Sequence, residues 1–200
     1  MMQDSSVDCV IRVNNVSMDE RDLAKLCLKG DTAARKELYA RYAPSLFKVC
    51  LRYAPDRAAA EDTLHDGFIK IFDSINKFNF KEEGSLAAWC RRVMVNLSID
   101  RLRKEKKLQL QYTDRPPEPD TDDPPASLVR RIPPEVLQRF INELPPGYRT
   151  IFNLYAVDGL PHREIARMLG IKENSSSSQY ARAKQILAHK IKNWLNNAAE

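Results

Sequence analysis

The segment Leu160–Lys184, LPHREIARMLGIKENSSSSQYARAK, has the spacing of a DNA-reading element. Glu164, Ile165, Ala166 and Leu169 set a small apolar face on a short helix. Gly170 ends that helix where a left-handed backbone is easiest, and Ile171 follows as a buried turn residue. A second helix from near Asn174 turns Tyr180, Ala183 and Leu187 inward, with Arg182 and Lys184 further round. Two helices crossing steeply over a tight Gly turn form a helix-turn-helix, which presents its second helix to a major groove. The competing reading is an ordinary helical hairpin in an all-α core.

A second chemical feature is the distribution of charge. The net charge of +5 over 200 residues is modest for a nucleic-acid binder, so its placement carries the information. Residues 91–107 hold seven basic side chains against Asp100 and Glu105. Residues 109–127 hold five acidic ones against Arg115. Enzyme chemistry finds little support: three His (65, 162, 189) lack metal-ligand spacing, and no Gly-rich loop could cradle a phosphate. No catalytic residue, cofactor or metal is expected.

The elements that must position these groups read as helices throughout. A capping box at Ser17 and Glu20 opens a short helix carrying Leu23, Leu26 and Cys27. A longer one runs to about Tyr53, with Pro44 as a potential kink, and a third carries Leu64, Phe68, Ile71, Phe72 and Ile75. After a loop over 76–84 a fourth bears Leu86, Trp89, Cys90, Val93, Leu97 and Leu102, ending in the basic run. Five prolines among acidic residues prevent regular packing over 108–133. Helical patterning resumes at Pro134 and gives about four more helices.

The expected fold is therefore all-α, with two small helical domains, 18–107 and 134–196. A Pro-rich acidic linker, 108–133, joins them, and 1–17 is a loose extension. Cys9, Cys27, Cys50 and Cys90 make no C-x-x-C pair, and the last three lie on apolar stripes as expected buried thiols. No signal-like or membrane-spanning run is present in the sequence, so a cytoplasmic protein without membrane insertion is expected.

Four segments, in order, give this pattern a family. GDTAARKELYARYAPSLFKVCLRY, AEDTLHDGFIKIF, AAWCRRVMVNLSIDRLRKEKK and LPPGYRTIFNLYAVDGLPHREIARMLGI resemble segments of the extracytoplasmic-function (group four) sigma factors of bacterial RNA polymerase. The resemblance covers roughly residues 20–195. It implies that Asp62, His65 and Asp66, which share an exposed helical face with Ile69, dock on basic coiled-coil residues of core polymerase. His65 stands where the family often has Gln.

The same resemblance assigns Asn96 to reading a base of the downstream promoter element, for which an amide offers both donor and acceptor. Arg91, Arg92, Arg101, Arg103 and Lys104 then hold backbone phosphates. The loop Phe78-Asn79-Phe80-Lys81 stands where a flipped base is captured, whereas the spacing of Trp89 with Leu86 and Val93 marks it as core. In the recognition helix Ser175, Ser177, Ser178 and Arg182 are expected to face DNA of the upstream element. Ser176 stands where such helices usually bury an aliphatic side chain, and Ser177 where a Lys is frequent. Both departures predict weak DNA affinity for this domain alone.

The expected function is a promoter-specificity subunit, with core RNA polymerase, promoter DNA and an anti-sigma factor as partners. The alternative is a stand-alone helix-turn-helix transcription regulator, which would leave the basic fourth helix and the acidic face unexplained.

Overall fold

Three aspartates start the first three helices in the same way. Asp19 accepts the Asp22 N–H at 2.7 Å, Asp31 that of Ala34 at 2.8 Å, and Asp56 that of Ala59 at 2.8 Å. Each satisfies a donor that the helix leaves unpaired in its first turn, worth about 1 kcal/mol apiece. The helices are α1 (Glu20–Leu28), α2 (Thr32–Tyr53), α3 (Arg57–Ser74) and α4 (Ser85–Lys104). A single 3₁₀ turn, Ile75–Lys77, follows α3. Pro44 lies inside α2 without interrupting it.

The computed structural model describes residues 18–104, 129–130 and 132–197. The expected extension 1–17 and most of the expected linker 108–133 lie outside these residues, as does Ser17. Within them, α1 is capped by Asp19, and Glu20 does not act locally. Its backbone N–H donates to Glu83 Oε1 at 3.3 Å, while its own carboxylate accepts the Leu86 and Ala87 N–H groups at 2.8 and 3.3 Å. The starts of α1 and α4 thus cap each other across 63 or more residues.

Four helices, α1–α4, enclose a core in which Leu23, Leu38, Ile71, Leu86 and Met94 have no exposed surface. A Cβ at Gly67 of α3 would meet the end of the buried Met94 side chain of α4, which fills the space beside this glycine. Cys27, Cys50 and Cys90 are buried free thiols, as the apolar stripes predicted.

The C-terminal group contains α5 (Pro134–Asn142), α6 (Pro146–Phe152), α7 (His162–Leu169) and α8 (Glu173–Asn197). Proline opens α5 and α6, where its missing N–H costs nothing. A π-helical turn, Asn153–Val157, continues α6, which the sequence did not reveal. Gly170 adopts φ 69° and ends α7, as the turn chemistry required. Phe140, Ile141, Leu144, Ala183, Leu187 and Ile191 pack together between α5 and α8. Ile151, Leu154, Ile165 and Leu169 instead join the apolar cluster of α1–α4. No strand occurs among the described residues.

Candidate nucleic-acid interface

The basic end of α4 is placed by the buried stripe Leu86, Cys90, Met94 and Ile99, which turns the opposite face outward. Arg91, Arg92 and Asn96 are exposed there, and Arg103 and Lys104 follow at the end of the helix. Arg92 pairs with Glu164 of α7, and the Arg103 guanidinium donates to the Met168 carbonyl at 3.4 Å. Arg101 is turned to the other side. It pairs with Asp66 and donates to Thr63 Oγ1 at 2.9 Å and to the Asp62 carbonyl at 3.3 Å.

Asp62, His65 and Asp66 are exposed on one face of α3, with Ile69 beside them at 59% exposure. The structure therefore brings together the acidic face and one residue expected at phosphates. An Arg in contact with Asp66 leaves Asp62 as the less encumbered carboxylate of that face. In the loop after α3, the Phe78 ring lies 5.7 Å from that of Trp89, and Arg21 stacks over Phe80 at 4.7 Å.

In the recognition helix α8, Ser175 and Ser178 are half-buried, while Ser177 and Arg182 are exposed. The hydroxyls of Ser177 and Ser178 donate to the Asn174 carbonyl at 3.0 and 2.8 Å, so both are held against the helix backbone. Ser176 is fully buried, and its Oγ lies 3.0 Å from His162 Nδ1. The His162 ring stacks on Tyr155 at 4.2 Å between centroids, and Tyr180 packs against both. A polar pair supported by aromatic rings thus occupies the place expected for an aliphatic contact between the two helices. Burial pulls the His162 imidazole below its ordinary pKa of 6.5, with Glu173 opposing.

Sequence reasoning missed the group around Asp158. This carboxylate is 3% exposed; it accepts from Arg52 Nη2 at 2.6 Å and from the Tyr53 hydroxyl at 2.5 Å. Burial and the adjacent carboxylate push the Tyr53 hydroxyl well above its usual pKa, so it remains a donor. The partners are more than 100 positions apart, and no local pattern links them. For Ser176 a signal existed: a polar residue at an apolar position, with an imidazole at the start of the preceding helix. Among the described residues no cluster of His, Cys, Asp or Glu could hold a metal ion.

Comparison with known proteins places these elements in a family. Residues 38–108 match Sigma-70 region 2, and residues 135–187 match Sigma-70, region 4. The chain is 27% identical over 165 residues to the extracytoplasmic-function sigma factor SigE of Mycolicibacterium smegmatis, covering 79% of this chain and 63% of that protein. It is 26% identical to SigW of Bacillus subtilis, covering 82% of this chain and 92% of that protein. With SigM of the same organism the identity is 28%, over 76% of this chain and 91% of that protein. Among solved structures, the sigma factor RpoE of Bartonella quintana, in complex with the anti-sigma factor NepR, is similar at 19% identity and a TM-score of 0.48. That likeness covers 78% of this chain and 96% of RpoE. Both sigma-70 regions are present, in order, on an all-α chain, and the chain belongs to the extracytoplasmic-function sigma factors of bacterial RNA polymerase.

Proposed function

We propose that this chain binds core RNA polymerase, recognises promoter DNA and directs transcription initiation. The observation that carries this reading is the paired match to regions 2 and 4. A stand-alone regulator would account for region 4 alone. In this reading α1–α4 take the downstream promoter element and the α7–α8 helix-turn-helix takes the upstream one. Asp62, His65 and Asp66 contact polymerase, and Asn96 reads a base. Arg91, Arg92, Arg101, Arg103 and Lys104 hold phosphates. Ser175, Ser177, Ser178 and Arg182 face the upstream duplex.

The role requires charge, shape and positioning and no catalytic group. Tethering two modest readers raises their joint affinity once polymerase fixes their spacing. That suits a recognition helix whose Ser177 and Ser178 hydroxyls are already occupied by its own backbone. An anti-sigma factor is the proposed antagonist. The site of action is the cytoplasm, and no described helix is long and apolar enough to cross a membrane.

Reconstitution with core polymerase, followed by sequencing of transcript starts and permanganate footprinting, tests the reading. Defined starts and strand opening are expected only when both components are present. Tight sequence-specific duplex binding by the chain alone, without polymerase-dependent starts, would favour the regulator.

A further inference from the structure

The recognition helix α8 begins with four consecutive serines, and the fold engages the hydroxyls of three of them internally. Ser177 and Ser178 donate to the Asn174 carbonyl. Ser176 has no exposed surface, and its hydroxyl lies 3.0 Å from His162 Nδ1. His162 is the first residue of α7, so this contact joins the start of one helix of the pair to the first turn of the other. Aromatic rings hold the imidazole in place. The Tyr155 ring lies within 8° of parallel to it, and Tyr180 packs against both and also stacks on Phe152 at 6.0 Å. Tyr155 is carried by the π-helical turn Asn153–Val157, which the Asp158 N–H closes by donating to the Asn153 carbonyl at 2.9 Å. A turn of this kind takes an extra residue into the winding, and isolated π turns recur at functional sites. Here it carries the ring that stacks on His162.

We propose that the His162–Ser176 contact positions the recognition helix, setting the pose in which Arg182 and its neighbours meet the upstream promoter element. This inference rests on the sigma-factor reading, because that reading gives α8 its upstream duplex. His162 and Ser176 are positioning residues. Ser176 is sealed from solvent and acts only through the helix that carries it.

An apolar contact between two helices has no direction and tolerates separations up to about 4.5 Å. A hydrogen bond holds its atoms within about 2.7–3.2 Å and weakens steeply off line. The polar pair therefore fixes the first turn of α8 against α7 more narrowly than the aliphatic contact expected at this position. Any slip of the helix leaves a buried hydroxyl unpaired, with no water to replace its partner, so displaced poses are disfavoured. Arg182 stands six residues beyond Ser176, about 9 Å along the same helix. A guanidinium reads guanine through two hydrogen bonds at once, so a shift at the helix start changes which base edge it reaches. Stabilising and positioning are separable roles. A contact that only stabilises can be replaced by an apolar one without consequence for reading. A contact that positions cannot, since the apolar replacement restores the packing and leaves the pose free to slide.

The test uses the full-length chain with core polymerase and a promoter pool randomised in the upstream element, read by sequencing the transcripts. Thermal midpoints of the same variants are measured without polymerase. His162→Phe keeps a ring against Tyr155 and removes the polar partner, and Ser176→Ala removes the hydroxyl. The double variant makes the contact apolar on both sides. His162→Asn retains a polar group near the Nδ1 position. His189→Phe, the same exchange at an exposed site of α8, is the control. His162→Phe is expected to lower the midpoint and to reduce enrichment of the preferred upstream sequence roughly tenfold. Adding Ser176→Ala should recover much of the midpoint, because no hydroxyl is left unpaired, and none of the enrichment. His162→Asn should recover a large part of both, and His189→Phe should change neither. Wild-type base preference in the double variant overturns the proposal. So does a His162→Asn that discriminates no better than His162→Phe, or a wild type with no upstream preference. If His162→Phe fails to fold, the double variant decides by comparison with wild type. In each of these outcomes transcript starts stay defined and the sigma-factor reading stands. Absence of polymerase-dependent starts with the wild type overturns that reading, and the proposal falls with it.

Discussion

Replacing Glu20 by alanine tests whether the pose of α4 depends on a carboxylate from α1. Glu20 is 4% exposed and serves three donors. The Tyr42 hydroxyl donates at 2.7 Å, the Leu86 N–H at 2.8 Å and the Ala87 N–H at 3.3 Å. Two of these are first-turn donors of α4 that would otherwise be unpaired, and loss of such a cap costs about 0.5–2 kcal/mol. The third is a phenol only 8% exposed, and a buried hydroxyl without an acceptor costs about 1–3 kcal/mol. Glu20→Ala should therefore destabilise the chain by about 2–4 kcal/mol, measured as a shift in denaturant midpoint at constant slope. Glu20→Gln keeps one acceptor oxygen and should lose roughly half as much. Tyr42→Phe should lose about 1 kcal/mol, and much of that loss should vanish in the Glu20→Ala background. A Glu20→Ala loss below about 1 kcal/mol, or strictly additive effects with Tyr42→Phe, would refute the reasoning.

The acidic face of α3 gives a second prediction. Asp62→Lys should weaken co-purification with core polymerase at unchanged helicity. Asp66→Lys should do so and also loosen Arg101, lowering stability; equal stability of the two variants would count against the Arg101–Asp66 pair. Asn96→Ala should relax preference at one position of the downstream element by about 1–3 kcal/mol in a randomised promoter pool. Unchanged base preferences would make Asn96 structural. His162 gives a pH dependence. Its folded pKa lies below the ordinary 6.5, so the unfolded chain takes up its proton first as pH falls. The His162 contribution is then complete above that value and shrinks as pH drops through it towards the folded value. The stability gap between wild type and His162→Gln should narrow between about pH 7.5 and about pH 5.5. Thermal midpoints that stay parallel would exclude it.

Much of this protein is written locally. The first three helices start at aspartates that cap their own first turns, and α7 stops at Gly170 because only a left-handed residue makes that turn. The apolar stripe of α4 decided which residues are buried, and with it the outward placement of Arg91, Arg92 and Asn96. Periodicity and turn chemistry depend on neighbours three or four positions away, so both are legible in the order of the amino acids. The partners of the polar side chains are not. Glu20 looked like half of a capping box with Ser17, yet its carboxylate holds the start of α4, 66 residues on. Arg101, expected at a phosphate, pairs with Asp66 in the folded chain, while Ser176 looked like a defect and is matched by His162. Asp158 carried no signal at all, because its partners stand at the far end of α2. A charged or hydroxyl group is satisfied by whatever packing brings within 3 Å, and in water-poor surroundings that choice carries most of its energy. Which helices form was a property of the chain's local pattern. Which charges meet, and which reading face is left open, was decided only when those helices packed.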